Sequence, residues 1–140
     1  GIGGSMKIST KGRYGLRAIV AIAKSENGLS IKNISEMEGI SIRYLDKIMA
    51  SLKTSEIVES TRGSKGGYKL KKNPNEISVG DILRSVEDDF SIINCPLTNN
   101  SECSNEHMCT TKYVWNRINN GLNEIIDNIY ISEIIEGTKK

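Results

Sequence analysis

Apolar residues in the first part of the chain recur at intervals of three and four, the period of an amphipathic α-helix. A first helix is predicted from Thr10 to Ser25, and Gly28 ends it. A second, short helix is predicted between Ser30, which is placed to cap its start, and Gly39, which stops the pattern. The chain therefore begins as a helical domain.

A third helix is predicted almost at once, because Ser41 is placed to cap it and the apolar spacing then resumes. Its apolar positions are Leu45, Ile48, Met49 and Leu52. Two short helices joined through a glycine turn predict a helix-turn-helix, the motif whose second helix enters the major groove of DNA.

A β-hairpin is predicted directly after the third helix. Residues 57–61 are β-rich, 62–67 form a glycine-punctuated turn, and 68–71 alternate again. A basic hairpin in this place is the wing of a winged helix, whose tip can reach phosphates or the minor groove. Ser78 and Asp81 then open a fourth helix.

The C-terminal part divides into a polar segment and a long apolar stripe. Residues 92–109 show no sustained periodicity, so this segment is predicted to be a loop. Beyond it, apolar spacings of three and four predict a helix of about five turns. Its stripe is Val114, Ile118, Leu122, Ile125, Ile126 and Ile129. We favour pairing of this stripe with a second copy over packing on its own domain, because symmetric operators call for dimers.

The predicted fold is mainly α with a small β wing: a winged helix-turn-helix domain plus a long C-terminal dimerisation helix. No apolar run approaches the roughly 20 residues that span a bilayer, so we expect no membrane association and a cytoplasmic protein. The predicted division is an expression-tag remnant at 1–5, the DNA-binding domain at 6–90, a cysteine-containing loop at 91–109, the dimerisation helix at 110–135 and a tail at 136–140.

Charge supports this division, because the two halves of the chain carry opposite signs. Residues 6–73 hold fourteen Lys or Arg and six Asp or Glu, a net charge of +8. Residues 74–140 hold five and eleven, a net charge of −6. The basic half coincides with the winged helix, as expected of a domain that binds double-stranded DNA.

Enzymatic activity is not expected, since one histidine and no visible nucleophile–base arrangement leave little for a catalytic site.

The outward residues of the third helix are the candidate DNA contacts, because its apolar residues occupy the inner face. Arg43 can bond a guanine edge, whereas Tyr44 and Lys47 suit phosphates. Asp46 is repelled by phosphate unless it reads a base, so it is predicted to contribute discrimination more than affinity. The alternative for Asp46 is a solvated ion pair with Arg43, three residues away.

The wing supplies the remaining candidates. Arg62 and Lys65 flank glycines that let the backbone approach DNA closely, and a narrow minor groove attracts such an arginine. The alternative is a solvated hairpin tip. The predicted DNA-binding residues are Ser41, Arg43, Tyr44, Asp46, Lys47, Arg62 and Lys65.

Cys95, Cys103 and Cys109 are the only cysteines and lie in one polar segment. An odd number of thiols in a reducing compartment argues against disulfides, which leaves ligation of an iron–sulfur cluster or zinc. Zinc sites usually contain close Cys-x-x-Cys pairs, so gaps of seven and five residues favour a cluster. His107 is a candidate further ligand, although a surface histidine in a polar loop needs no such role.

Several motifs resemble the Rrf-type family of bacterial regulators that includes IscR, NsrR and CymR. They are MKISTKGRYGLRA at 6–18, ISE and GISIRYL within 34–45, RGSKGGY at 62–68, GDI at 80–82 and CTTKYVW at 109–115. The likeness covers residues 6–135 and implies a homodimer on a near-palindromic operator. It also implies a [2Fe-2S] or [4Fe-4S] cluster on Cys95, Cys103 and Cys109, while members without these cysteines respond to other signals.

Departures from the family pattern concern the further ligand of that cluster. Lys112 stands where iron–sulfur biogenesis regulators typically have histidine, and an ammonium is no ordinary ligand. Arg13 stands where nitric-oxide-sensing members can supply a carboxylate from the partner's first helix. The first gap between cysteines is also longer than is common in the family. The remaining candidates are His107, Glu102, Glu106 and a small molecule.

The sequence thus predicts a homodimeric transcription regulator, interpreted as a repressor, that senses cluster status, nitric oxide or redox state. The cluster would order residues 92–109 and set the distance between the two recognition helices. One alternative is a cluster-free thiol-redox or cysteine-metabolism regulator of the same fold, which would purify colourless. The other is a zinc-stabilised protein interaction module, which would show no salt-dependent DNA binding.

Overall fold

The computed structural model of the protein describes residues 5–6, 9–61, 67–87, 93–94 and 106–138, and within them the side chains of 9–61, 67–87 and 111–137. The elements are β1 Ser5–Met6, α1 Thr10–Lys24, α2 Ile31–Glu38, α3 Ile42–Thr54, β2 Val58–Thr61, β3 Gly67–Leu70, α4 Val79–Val86, β4 Ile93–Asn94, α5 Glu106–Asp127 and α6 Ile131–Thr138. This order confirms the predicted winged helix-turn-helix fold.

Serine side chains start the four helices of the winged-helix domain by accepting hydrogen bonds from main-chain N–H groups that lack a helical partner. Ser30 accepts from Asn33 at 3.0 Å, and Ser41 accepts from Tyr44 at 3.1 Å. At the start of α4 the bonds are reciprocal, because Ser78 also donates its N–H to the Asp81 carboxylate at 3.1 Å. The predicted caps of α2, α3 and α4 are therefore confirmed.

The core lies where α1, α3 and α4 meet, with contributions from the hairpin and α6. All four apolar positions predicted for the inner face of α3 are completely buried. They belong to one cluster of buried residues that also includes Ala18, Ile19, Ile22, Ile34, Val58, Ile82, Val86 and Ile131. The opposite face of α3 is thereby left to solvent.

The hairpin is an antiparallel pair with Val58 opposite Leu70 and Thr61 opposite Gly67. Its second strand is joined to the α1–α2 loop, because Leu29 and Tyr68 exchange main-chain hydrogen bonds of 2.9 and 2.7 Å. These bonds brace the wing against the helical body. The predicted wing tip, with Arg62 and Lys65, lies outside the described residues.

Two short stretches differ from the predicted loop at 92–109. Helix α5 begins at Glu106, so residues 106–109 are helical, and β4 forms an antiparallel pair with β1. Neither stretch is long enough to show a period in the sequence. Ser5, predicted to lie outside the fold, is part of this pair through its position opposite Asn94.

The prediction of one continuous helix over 110–135 is wrong, because α5 ends at Asp127 and α6 begins at Ile131. Between them the main chain turns to the start of α4. Val79 donates to the Ile129 carbonyl at 2.8 Å, and Ile131 donates to the Ile77 carbonyl at 2.9 Å. These tertiary bonds, with complete burial of Ile131, replace the helical bonds that a continuous helix would have made.

Candidate nucleic-acid interface

The outer face of α3 presents a mixed-charge surface. The side chains of Arg43, Asp46 and Lys47 are exposed, and that of Tyr44 is half-buried. The structure therefore places Arg43, Asp46 and Lys47 on the side of α3 that faces away from the core, as predicted, whereas Tyr44 packs against the edge of the core. Their contact with DNA stays a prediction.

A shallow depression of about 190 Å³ lies at the start of α3 and is lined by Ser41, Arg43, Tyr44 and Lys47. Two cations and the positive end of the helix dipole make this a favourable place for a phosphate. The Ser41 hydroxyl already accepts the Tyr44 N–H, so its established role is to cap the helix. A phosphate in the depression would fix the register of α3 on a duplex.

Asp46 was predicted either to read a base or to pair with Arg43. Within the described part of the chain, the ion pairs join Arg17 to Glu38, Lys69 to Glu59, Lys71 to Glu56 and Arg84 to Asp127. The structure thus gives the solvated-pair interpretation no support. The Asp46 side chain is exposed on the same helix face as Arg43 and Lys47.

An ion pair lies at the base of the wing, just outside strands β2 and β3. Lys71 donates to the Glu56 carboxylate at 3.1 Å, and this hydrogen bond with the lysine charge lowers the pKa of Glu56. At the base of the turn, Gly67 donates its N–H to the Thr61 hydroxyl at 2.8 Å. The described stem of the wing is therefore held by polar contacts at both of its ends.

Sequence reasoning missed a set of contacts that joins α1 to both helices of the helix-turn-helix. The rings of Tyr14 and Tyr44 meet edge to face, with 5.5 Å between centroids and 76° between planes. The Arg17 guanidinium carbon lies 5.5 Å from the Tyr14 centroid, and Arg17 also bonds Glu38. The available signal was the spacing of three between Tyr14 and Arg17, which places them on one face of α1.

The three cysteines fall where description of the chain is incomplete. Cys95 directly follows β4 and Cys103 lies further on, both outside the described residues, while Cys109 and His107 are in the first turn of α5. Among the side chains that the structure describes, no group of three His, Cys, Asp or Glu residues could hold a metal. Strand β4 lies against α5, so the two described elements that flank Cys95 and Cys103 in the sequence are neighbours in the fold.

One carboxylate oxygen is buried at the end of α4, a few residues before the cysteine-containing segment. Glu87 follows the last residue of α4, and its Oε1 atom is buried without a hydrogen-bond partner in the described part of the chain. Buried polar atoms normally have partners. Cys95, Cys103 and Cys109 supply three thiols to the segment that follows Glu87, and thiolates are the usual ligands of iron–sulfur clusters.

Helix α5 leaves a row of apolar side chains in solvent. Val114, Ile118 and Ile125 are 47%, 40% and 56% exposed. Spacings of four and seven place these three side chains along one face of the helix. No helix in the described ranges is both long and apolar enough to cross a membrane.

A helix-turn-helix with an exposed, charged outer face, followed by a braced hairpin, defines the winged-helix class of DNA-binding proteins. The model of the Rrf2 family, described as an iron-dependent transcriptional regulator, matches residues 8–137. The chain is 32% identical to the HTH-type transcriptional regulator IscR of Pectobacterium atrosepticum over 132 residues. The aligned residues cover 93% of this chain and 79% of that relative. The chain belongs to the Rrf2 family and is a DNA-binding transcription regulator.

Two solved structures share its architecture. IscR of T. potens gives a TM-score of 0.77 at 32% identity, covering 96% of this chain and 89% of that chain. CymR, described as the global cysteine regulator of B. subtilis, gives a TM-score of 0.76 at 31% identity, covering 94% and 98%. The predicted resemblance to IscR and CymR is therefore confirmed.

Proposed function

We propose that the protein binds a near-palindromic operator as a homodimeric repressor and that an iron–sulfur cluster on Cys95, Cys103 and Cys109 controls its affinity. The observation that carries the DNA-binding part is the outer face of α3. Arg43, Asp46 and Lys47 stand exposed there, while the inner face of the helix is completely buried. A helix held so firmly from behind presents its polar side chains at a fixed angle.

The proposed contacts divide into positioning and base reading. Lys47 and Tyr44 bind phosphates at the depression, which sets the register, and Arg62 and Lys65 reach the neighbouring groove from the wing. Arg43 donates to a guanine edge and Asp46 accepts from a cytosine amino group. Because a carboxylate is repelled by the DNA backbone, Asp46 lowers affinity for every duplex that lacks its base.

Lys47→Ala is expected to weaken binding to all duplexes alike and to reduce the slope of log K against log salt by about 1. Asp46→Ala is expected instead to relax preference at one base pair, a difference of about 1–3 kcal/mol. Both are measured by titration of labelled duplexes, an operator selected from random sequences and an unrelated duplex, at several salt concentrations.

Lys24→Ala is the matched control, since it removes an exposed lysine from α1 ten residues beyond Tyr14, about 15 Å along the helix axis. It should leave both affinities unchanged. Equal slopes of log K against log salt for wild type and Lys47→Ala would show that Lys47 does not contact a phosphate.

The proposed dimer forms through α5. Its exposed apolar row matches the same row of a second copy, which is how a two-fold interface is built. At its C-terminal end α5 is held to the winged helix, because Arg84 on α4 bonds Asp127 at 2.5 Å and Asn123 at 2.9 Å. Each α5 therefore carries its own winged helix with it, and the crossing of the two α5 helices sets the spacing between recognition helices.

The cysteine segment lies between α4 and α5, the two elements whose relative placement decides this spacing. Cys95, Cys103 and Cys109 would hold the cluster, with His107, Glu102, Glu106, Glu87 or a small molecule as the further ligand. When bound, the cluster supplies a group that reacts to oxygen, nitric oxide or iron supply. A change at the cluster would be transmitted through the cysteine segment to the N-terminal end of α5, while Arg84 holds the C-terminal end of that helix.

Protein purified without oxygen is expected to be brown and to contain iron and sulfide. Cys103→Ser should lose the colour and shift operator affinity, because one of three thiolate ligands is gone. Ser104→Ala, a polar substitution at the next residue, is the control and should keep both. The readouts are visible absorption, iron and sulfide content, and operator titration. Unchanged cofactor content and affinity in Cys103→Ser would overturn the cluster proposal.

A cluster-free regulator of thiol-redox state or cysteine metabolism is the second candidate. The observation that favours it is the likeness to the cysteine regulator CymR, over 98% of that chain. Colourless, iron-free protein that still binds its operator would select this candidate. Membership of a family of transcriptional regulators favours the cluster-sensing and the cluster-free regulator over the zinc-stabilised interaction module.

A further inference from the structure

Arg17 bridges α1 to the end of α2 through two kinds of bond. Its Nε donates to the Glu38 carboxylate at 3.1 Å, and its Nη2 donates to the Glu38 main-chain carbonyl at 2.6 Å. Glu38 is the last residue of α2, where carbonyl groups lack helical partners. Arg17 therefore holds the point at which the chain leaves α2 for the turn.

The same side chain supports α3 on the other side of that turn. The Arg17 guanidinium lies over the Tyr14 ring, and the Tyr14 ring meets the Tyr44 ring edge to face. Tyr44 is in the first turn of α3 and lines the depression proposed for a phosphate. A continuous set of contacts thus runs from the end of α2 through α1 to the start of α3.

Only three residues, 39–41, separate α2 from α3. Both ends of this short turn are connected to α1, at Glu38 through Arg17 and at Tyr44 through Tyr14. These contacts therefore restrict the orientation of the first turn of α3 relative to α1. The buried core fixes α3 from Leu45 onward, whereas the first turn of the helix is held by the Ser41 cap and by the ring contact between Tyr14 and Tyr44. The direction of its first turn, where Arg43 and Tyr44 project, depends on this additional support.

We propose that Arg17 is a positioning residue for base recognition, acting through Tyr14 and Tyr44 rather than by touching DNA. The proposal rests on the DNA-binding role proposed for α3. The charge of Arg17 is already matched by Glu38, so it contributes little to attraction of phosphates. A half-exposed ion pair also adds little to stability, because solvent screens it. What arginine adds is a planar guanidinium that donates from two separate nitrogens while it lies over a ring, whereas the lysine side chain has only one nitrogen.

Arg17→Lys, which keeps the charge, tests this role. Affinity for the selected operator should fall about tenfold, the worth of one impaired base contact. Affinity for an unrelated duplex, the salt slope and the thermal unfolding midpoint should stay at wild-type values. Tyr14→Leu removes the ring and should give the same loss of preference. Arg13→Lys is the control, since Arg13 lies one turn earlier on α1 and bonds only Thr10 within the described residues.

Other outcomes would overturn the proposal in distinguishable ways. Equal losses on both duplexes with a salt slope reduced by about 1 would make Arg17 a phosphate contact. Equal losses of affinity for both duplexes together with a lower unfolding midpoint would make the role of Arg17 purely structural. Wild-type affinity of Arg17→Lys for the operator would show that α3 needs no such support. Wild-type protein without preference between the two duplexes would refute the proposed function itself.

Discussion

Replacing Met49 by alanine is expected to lower the free energy of unfolding by about 2–5 kcal/mol. Met49 is on the inner face of α3 and is completely buried. Its removal leaves a cavity among Leu45, Ile48 and residues of the packed neighbouring helices, which can close only partly. The loss combines the transfer of apolar atoms to water with contacts that no neighbour replaces.

Met37 provides the matched control for this substitution. It lies on α2 and is 60% exposed, so Met37→Ala should change the free energy of unfolding by no more than about 0.5 kcal/mol. Urea titrations of wild type and both variants give the comparison, all at one protein concentration because dimerisation adds to apparent stability. Similar midpoints for the two variants would mean that the inner face of α3 is not the centre of the core.

The parts of the fold that the sequence predicts correctly are those decided by local chemistry. Ser30, Ser41 and Ser78 cap helices because their hydroxyls satisfy nearby N–H groups, an interaction that spans three residues. The inner face of α3 follows from the helical period alone. The outer face, which holds most of the predicted DNA contacts, is its geometric complement.

The parts that the sequence does not predict depend on contacts between distant segments. Apolar spacing continues past Asp127, yet the helix stops because the chain pairs with residues preceding and starting α4, about 50 positions earlier. The pairing of Ser5 with Asn94 is another such case. In the candidate site, the relation of Arg17 to Tyr44 depends on how α1 packs against α3, which no local pattern encodes.

Gly28→Ala is expected to destabilise the protein by about 3 kcal/mol, through backbone strain and the loss of hydrogen bonds. Gly28 has a φ of +82°, and a Cβ atom there would lie 2.5 Å from the Tyr68 carbonyl oxygen. That oxygen accepts the Leu29 N–H, so relief of the overlap must separate the loop from β3. The exchange of bonds between Leu29 and Tyr68 would then be lost.

Gly39→Ala separates the two causes. Gly39 has a φ of +68°, but a Cβ atom there would meet nothing within 4 Å. Its substitution should therefore cost only the backbone strain, about 1 kcal/mol. Urea titrations of both variants measure the difference, which is the worth of the contact between the α1–α2 loop and the hairpin. Equal losses would mean that the loop can leave β3 at no cost, and that the wing is held in place by its own strands rather than by the helical body.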